Sequence, residues 1–199
     1  MTDIQSLFST HLYRTHLEGA TNAELEHAAL TLAREDVAGI QWCRDNHYKG
    51  YTSYSSIADL PRRAPVFAQL VGMIEPHVLA FAQNEFELGG YRPTLDGIWV
   101  NVMEAGATHA PHFHPHSIIS GTYYVTAPQG SGGIAFEDPR FGLMMAAPPR
   151  RMSGPAGQQA FVSVKPASGL LLLWESWLRH GVEPNRAATP RISISFNYR

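Results

Sequence analysis

Along this chain the apolar positions change their period once. In the first third they recur at helical spacing: Leu25, Ala28, Ala29, Leu32 and Ala33 fall on one face, behind Thr21-Asn22-Ala23-Glu24, a capping-box pattern. A second helix is predicted from Pro65, a favoured first-turn residue, with Val66, Phe67, Leu70, Met73 and Ile74 as its apolar face. Pro76 removes a backbone donor and is expected to kink or restart this helix, which continues through Val78, Leu79 and Phe81 towards Glu87 and ends at Gly89-Gly90. Residues 37–63, rich in Gly, Tyr and Ser, read as a loop packed on the domain.

From residue 96 the period shortens to two. Gly97-Ile98-Trp99-Val100-Asn101-Val102-Met103 alternates and is rich in β-formers, and strands are predicted again at 118–126, 133–137, 161–165, 169–174 and 191–199. Clusters such as Pro128-Gln129-Gly130-Ser131-Gly132-Gly133 and Ala147-Pro148-Pro149 separate them. Many short strands with such turns indicate a β sandwich or barrel. Residues 139–160 carry four prolines and three glycines and read as a long excursion, by position a candidate cover for a site. With 199 residues the chain fits a single domain, residues 1–95 a helical N-terminal elaboration and residues 96–199 the β core.

Bulk composition narrows the function by exclusion. A net charge of −2 gives no electrostatic footprint for nucleic acid or an anionic membrane. Cys43 is the only cysteine, so there is neither a disulfide framework nor a cysteine metal site. The start lacks the basic end and apolar run of a signal peptide, and the apolar run 170–174 is far too short to span a bilayer. A cytoplasmic protein is expected. A homodimer is left open, as is whether the substrate is a small molecule or a protein.

Histidine is the unusual residue. There are ten, and four lie within eight positions: His109, His112, His114 and His116. On a strand, residues two apart share a side, so the imidazoles of His112 and His114 can converge on one ion at about 2.0–2.2 Å each. His180, after the apolar run Leu170-Leu171-Leu172-Leu173-Trp174, is the candidate third ligand from a neighbouring strand. His114 and His116 form a rival pair, disfavoured because Pro115 sits poorly in a paired strand. His109 and His116 read as solvent-facing. Three ligands on one face leave positions open, which suits non-haem iron and oxygen chemistry. The same three would also hold zinc.

The blocks His112-Phe113-His114-Pro115-His116-Ser117-Ile118-Ile119-Ser120-Gly121-Thr122-Tyr123-Tyr124-Val125, Phe136-Glu137-Asp138-Pro139-Arg140, Trp177-Leu178-Arg179-His180-Gly181-Val182-Glu183-Pro184 and Arg191-Ile192-Ser193-Ile194-Ser195-Phe196-Asn197 carry a resemblance. Together, and in this order, they resemble iron(II)/2-oxoglutarate oxygenases of the prolyl-hydroxylase type. The likeness covers roughly residues 96–199 and is weaker upstream. It implies a mainly β fold, a double-stranded β-helix (a jelly-roll, cupin-like barrel) with the N-terminal helices packed on it. It also implies Fe(II) as the metal, with 2-oxoglutarate and O2 as co-substrates.

Arg191, eleven residues after His180, matches the family's carboxylate-binding arginine, and a guanidinium can grip a carboxylate with two parallel hydrogen bonds. Ser193 faces the same way, and Tyr124 stands where such enzymes offer a hydroxyl to the same carboxylate. Asn101 is a further candidate lining residue. Asn197, on the polar face of the last strand, reads as solvated. Trp174 and Trp177 read as core or pocket wall.

One departure stands out. The family's usual triad has Asp or Glu two residues after the first histidine, and here that residue is His114. Related members carry the same His-x-His. Glu137 or Asp138 could supply the carboxylate, although their spacing gives no support. The leading expectation is a dioxygenase that hydroxylates an unidentified substrate and releases succinate and CO2. A cupin-type metal enzyme indifferent to 2-oxoglutarate and a non-enzymatic metal- or acid-binding sensor are the alternatives. Against the first, Ile118 and Ile119 stand where the cupin glutamate should be.

Overall fold

The structure, a computed structural model, describes residues 3–5, 7–86, 90–146, 148–149 and 153–199. Its elements run β1 (Leu12–His16), α1 (Asn22–Glu35), α2 (Val37–Asp45), β2 (Gly50–Thr52), α3 (Leu60–Arg63), α4 (Pro65–Glu85), β3 (Leu95–Met103), β4 (His109–His112), β5 (Ile119–Thr126), β6 (Ile134–Glu137), β7 (Phe161–Val164), β8 (Leu170–Glu175), β9 (His180–Val182) and β10 (Arg191–Tyr198). A large antiparallel sheet has the order β1-β8-β5-β10-β3-β2, and a small one the order β4-β9-β6-β7. The jumps in strand order between two antiparallel sheets are those of a double-stranded β-helix.

Period-two alternation explains how one strand serves two cores. Tyr123, Val125, Leu171, Leu173, Ile194 and Phe196 point outward from the large sheet into a cluster with Leu25, Phe67, Leu70, Ile74 and Val78 of the helices. Tyr124, Leu172 and Trp174 point the other way, against Ile134, Phe136 and Val164 of the small sheet. A strand buried on both faces reads as an unbroken apolar run, as Leu170-Leu171-Leu172-Leu173-Trp174 does.

The helical third departs from expectation in several places. Thr21 is the N-cap of α1 but makes no side-chain cap bond, so the capping box does not form. Instead Asn22 Oδ1 accepts a 2.6 Å bond from the Tyr123 hydroxyl and ties the helix start to the large sheet. Residues 37–63 are not a loop but hold α2, β2 and α3. Asp36 caps α2 by accepting from the Gly39 N–H at 3.1 Å, and it also accepts from the Tyr51 hydroxyl at 2.8 Å. These bonds and that from Ser56 outweigh burial and hold its carboxyl below the usual range.

α4 continues through Pro76 rather than restarting. It is long and apolar enough to cross a membrane by length and composition alone, but Val66, Phe67, Leu70, Ile74, Val78, Phe81 and Ala82 face the protein core. It stops at Glu85; Glu87 and Gly89 of the expected stop lie outside the described residues. The N-terminal part also supplies both edge strands of the large sheet, β1 against β8 and β2 against β3.

Candidate metal centre

His112 and His180 are directly opposed across β4 and β9. Gly181 permits that approach, because a Cβ there would come within 2.9 Å of the His109 carbonyl oxygen. β4 ends at His112, so His114 lies just beyond the strand, held by its N–H donating to the Ser176 carbonyl at 3.0 Å. The ligand-capable nitrogens of His112, His114 and His180 all lie within 4.8 Å of one another. Ring centroids are 4.6 Å apart for His112 and His180, 5.1 Å for His112 and His114, and 5.2 Å for His114 and His180.

Two of these rings have their tautomer set by the backbone. His112 Nδ1 lies 2.8 Å from the Ala110 carbonyl oxygen and His180 Nδ1 lies 2.8 Å from that of Leu178. A carbonyl only accepts, so each Nδ1 carries the proton and each Nε2 presents a lone pair. His180 is 4 % exposed, and Phe136 and Trp174 crowd its ring at 6.0 and 4.7 Å. Burial, reinforced by the neighbouring imidazoles and partly offset by the Leu178 carbonyl, pulls its pKa down to about 3. Burial, with His112 beside it, lowers His114 to about 4. Both are neutral at pH 7, the state a metal ligand needs.

The histidines open onto a cavity of about 530 Å³ that also reaches Arg191. Its size falls within the usual range for small-molecule sites. Arg191 is 3 % exposed; Nη1 donates to the Gly132 carbonyl at 2.9 Å, Nη2 reaches Ser193 Oγ at 3.5 Å, and Nε is buried without a partner. Among the described residues no carboxylate pairs with it. Burial draws its pKa downward, yet a guanidinium stays charged at neutral pH. An uncompensated buried cation is costly, and an anionic ligand in the cavity would relieve it.

Tyr124 also lines the cavity. Its ring lies under the Arg191 guanidinium, 5.3 Å from the ring centre, and burial raises its hydroxyl pKa. Ser193 is buried behind Arg191, outside the cavity wall, so it positions the guanidinium at most. Asn101 lines the cavity, but Oδ1 accepts from Thr52 at 2.9 Å and Nδ2 donates to Ser195 at 3.2 Å, so its amide is already occupied. Trp174 is core and cavity wall, whereas Trp177 is 49 % exposed.

The rival readings do not survive. His116 is exposed, with φ of +70°. Glu137 pairs with Arg179 at 3.0 Å and Asp138 with Arg140 at 2.9 Å, so neither completes a carboxylate triad. Two residues escaped the sequence reading. His109 is half-buried on the cavity wall, where its Nε2 meets the Tyr48 hydroxyl at 2.7 Å, and burial and Arg191 lower its pKa to about 4. Asn197 is no solvated residue, since its Nδ2 lies 3.2 Å from His114 Nδ1.

Three convergent imidazoles on one side of a cavity and, on its wall, a buried guanidinium with no carboxylate partner among the described residues suit a metal that shares its site with an acidic co-substrate. Residues 97–197, just over half of the chain, match the family model described as "Putative 2OG-Fe(II) oxygenase", and the chain belongs to that family. Iron(II), 2-oxoglutarate and O2 are the cofactor and co-substrates of this class of oxidoreductases, and the donor set fits them.

No curated protein sequence matches the chain. Among solved structures it is similar to a Pseudomonas putida prolyl-4-hydroxylase, at 18% identity and a TM-score of 0.65, over 96% of this chain and 94% of that one. It is similar also to a Trichoplax adhaerens prolyl hydroxylase, at 18% identity and a TM-score of 0.62, over 94% and 82%. A third is the epimerase SnoN of nogalamycin biosynthesis in complex with Fe3+, α-ketoglutarate and nogalamycin RO, at 16% identity and a TM-score of 0.65, over 95% and 78%. These likenesses carry the double-stranded β-helix.

Proposed function

We propose that this chain couples oxidative decarboxylation of 2-oxoglutarate to hydroxylation of a C–H bond, with His112, His114 and His180 holding iron(II) and Arg191 holding the co-substrate. The balance is 2-oxoglutarate, O2 and R–H giving succinate, CO2 and R–OH. The observation that carries this reading is Arg191: a charged, almost fully buried guanidinium without a carboxylate partner among the described residues, on the same cavity as three convergent imidazoles. The bound metal supplies the open positions at which the keto acid and O2 meet and the oxidising power for the substrate.

The chain's own residues bind and orient. His112 and His180 present their Nε2 lone pairs because Ala110 and Leu178 hold the Nδ1 protons. Arg191 binds the far carboxylate of 2-oxoglutarate, and Tyr124, which lines the same cavity beside Arg191, adds a hydrogen bond from its hydroxyl. Phe136 and Trp174 keep water from the back of His180. Trp42, Tyr54, Trp99 and Phe113 form the aromatic wall on which a substrate would lie, with Tyr54 and Trp99 in edge contact at 5.1 Å.

The test is succinate release from 2-oxoglutarate by anaerobically reconstituted iron(II) protein on admission of O2. Slow turnover is expected even without substrate, and it should vanish on chelation and fall in Arg191→Met. Turnover unaffected by chelator or by that substitution would overturn the reading.

A further inference from the structure

The three candidate ligands differ in what sets their tautomer. His112 and His180 each lean on the backbone carbonyl two residues earlier, which can only accept. For His114 the Nδ1 partner is a side-chain amide, that of Asn197, which can present either an N–H or a C=O. The difference decides whether His114 can ligate. With the amide nitrogen facing Nδ1, the ring keeps its single proton on Nε2 and has no lone pair for a metal there. With the amide oxygen facing it, the proton moves to Nδ1 and Nε2 is free. The two ends of an amide are nearly isosteric, so the same side-chain position serves both senses.

What lies behind Asn197 lets it turn at little expense. Its Oδ1 is 2.8 Å from Ser120 Oγ, which is 2.8 Å from Ser176 Oγ. Both serines are essentially fully buried, at 1 % and 0 % exposure. A hydroxyl donates or accepts, so Ser120 can donate to the Asn197 amide oxygen while accepting from Ser176, or accept from the amide nitrogen while donating to Ser176. The strands enforce the alignment: Asn197 and Ser120 are directly paired across β10 and β5, and Ser176 also receives the His114 N–H on its carbonyl.

We infer that Asn197 is a positioning residue for the metal centre, and that the Asn197–Ser120–Ser176 chain reverses its hydrogen bonds to switch His114 between a ligating and a non-ligating tautomer. This rests on the metal-centre reading above and adds to it. The ligand that replaces the family's carboxylate is the one whose readiness depends on a side chain rather than on the backbone. No proton is gained or lost in the switch: it leaves Nε2 and ends on Nδ1, while the amide and two hydroxyls rotate.

The experiment is the zinc(II) affinity of the metal-free protein, by competition with a chelator, for wild type, Asn197→Asp, Asn197→Leu and Ser120→Ala. An aspartate only accepts and holds His114 with its proton on Nδ1, so Asn197→Asp should bind zinc(II) at least as tightly as wild type. Asn197→Leu should bind about 10- to 100-fold more weakly, the usual penalty for losing a partner behind a ligand, with Ser120→Ala between. In the zinc(II)-loaded wild type, ¹⁵N-resolved NMR of the histidine side chains should place the His114 proton on Nδ1. A loss in Asn197→Asp as large as in Asn197→Leu marks a merely structural residue and overturns the inference. Equal affinities throughout do the same. Should Asn197→Leu not fold, Asn197→Asp against wild type and the NMR assignment decide by themselves. Failure of the wild type to bind zinc(II) would instead sink the metal-centre reading.

Discussion

At the histidine end of the cavity each of the three rings has one nitrogen within hydrogen-bond distance of a group of the protein itself. His114 and His180 are held neutral by burial, and His112 and His180 have their Nδ1 protons fixed by the backbone carbonyls two residues earlier. At the arginine end the reverse holds: a full positive charge is buried, one guanidinium nitrogen has no partner, and the nearest aromatic face is only a weak counterweight. The contrast teaches how one cavity is readied for two unlike ligands. A metal needs lone pairs that are already aimed, so the protein settles two of the three tautomers in advance. A carboxylate needs a charge left unneutralised, so the protein accepts a destabilised corner until the ligand arrives.

Removing a ligand should have the largest effect. His180→Ala is expected to abolish succinate release and to weaken metal binding by more than the roughly 100-fold that follows loss of a hydrogen-bond partner behind a ligand, measured by metal content after gel filtration. Next comes the arginine. Arg191→Met should weaken 2-oxoglutarate binding by about 2–5 kcal/mol, read by calorimetry on the metal-loaded protein, and leave metal content unchanged. The same substitution should leave the ligand-free protein as stable as wild type or more so in thermal unfolding, since an apolar replacement removes an unpaired buried charge. A marked loss of stability would break the comparison between the two ends.

The histidine end should also govern acid sensitivity. His180, His114 and His109 are held neutral down to about 3, 4 and 4, below the ordinary histidine value of 6.5. The unfolded chain therefore takes up protons from pH 6.5 downward while the native state does not. Stability of the metal-free protein should be flat above pH 6.5 and fall steadily from there towards pH 4, by denaturant titration at stepped pH. The smallest effect is expected for Tyr48→Phe. It removes one hydroxyl from His109 at the cavity wall and should lower stability by about 0.5–1.5 kcal/mol, with metal binding unchanged.

Much of this was legible before any coordinates. The six strands with clear alternation lie within a residue or two of their predicted places, and the histidine triad and Arg191 meet on one cavity as their spacing and the resemblance suggested. What escaped did so for physical reasons. β9 has three residues, β4 has four with Pro111 inside it, and β1 and β2 are edge strands, so none carries a periodic signal. α2 was missed because its start rests on one side chain, Asp36, rather than on an apolar stripe. Asn197 was misread because alternation distinguishes core from water, and a polar cavity inside a barrel looks like water to that test. The pairing of Tyr48 with His109 joins residues 61 apart through a contact no local pattern encodes.

The most direct measurement is an anaerobic calorimetric titration of 2-oxoglutarate into wild type and Arg191→Met, each with and without iron(II). Binding of one equivalent that requires iron(II) and weakens at least about tenfold in Arg191→Met is the result expected, a tenfold change being about 1.4 kcal/mol. Binding indifferent to the metal, or equal in the two proteins, would mean that the cavity does not join a metal at one end to a carboxylate at the other.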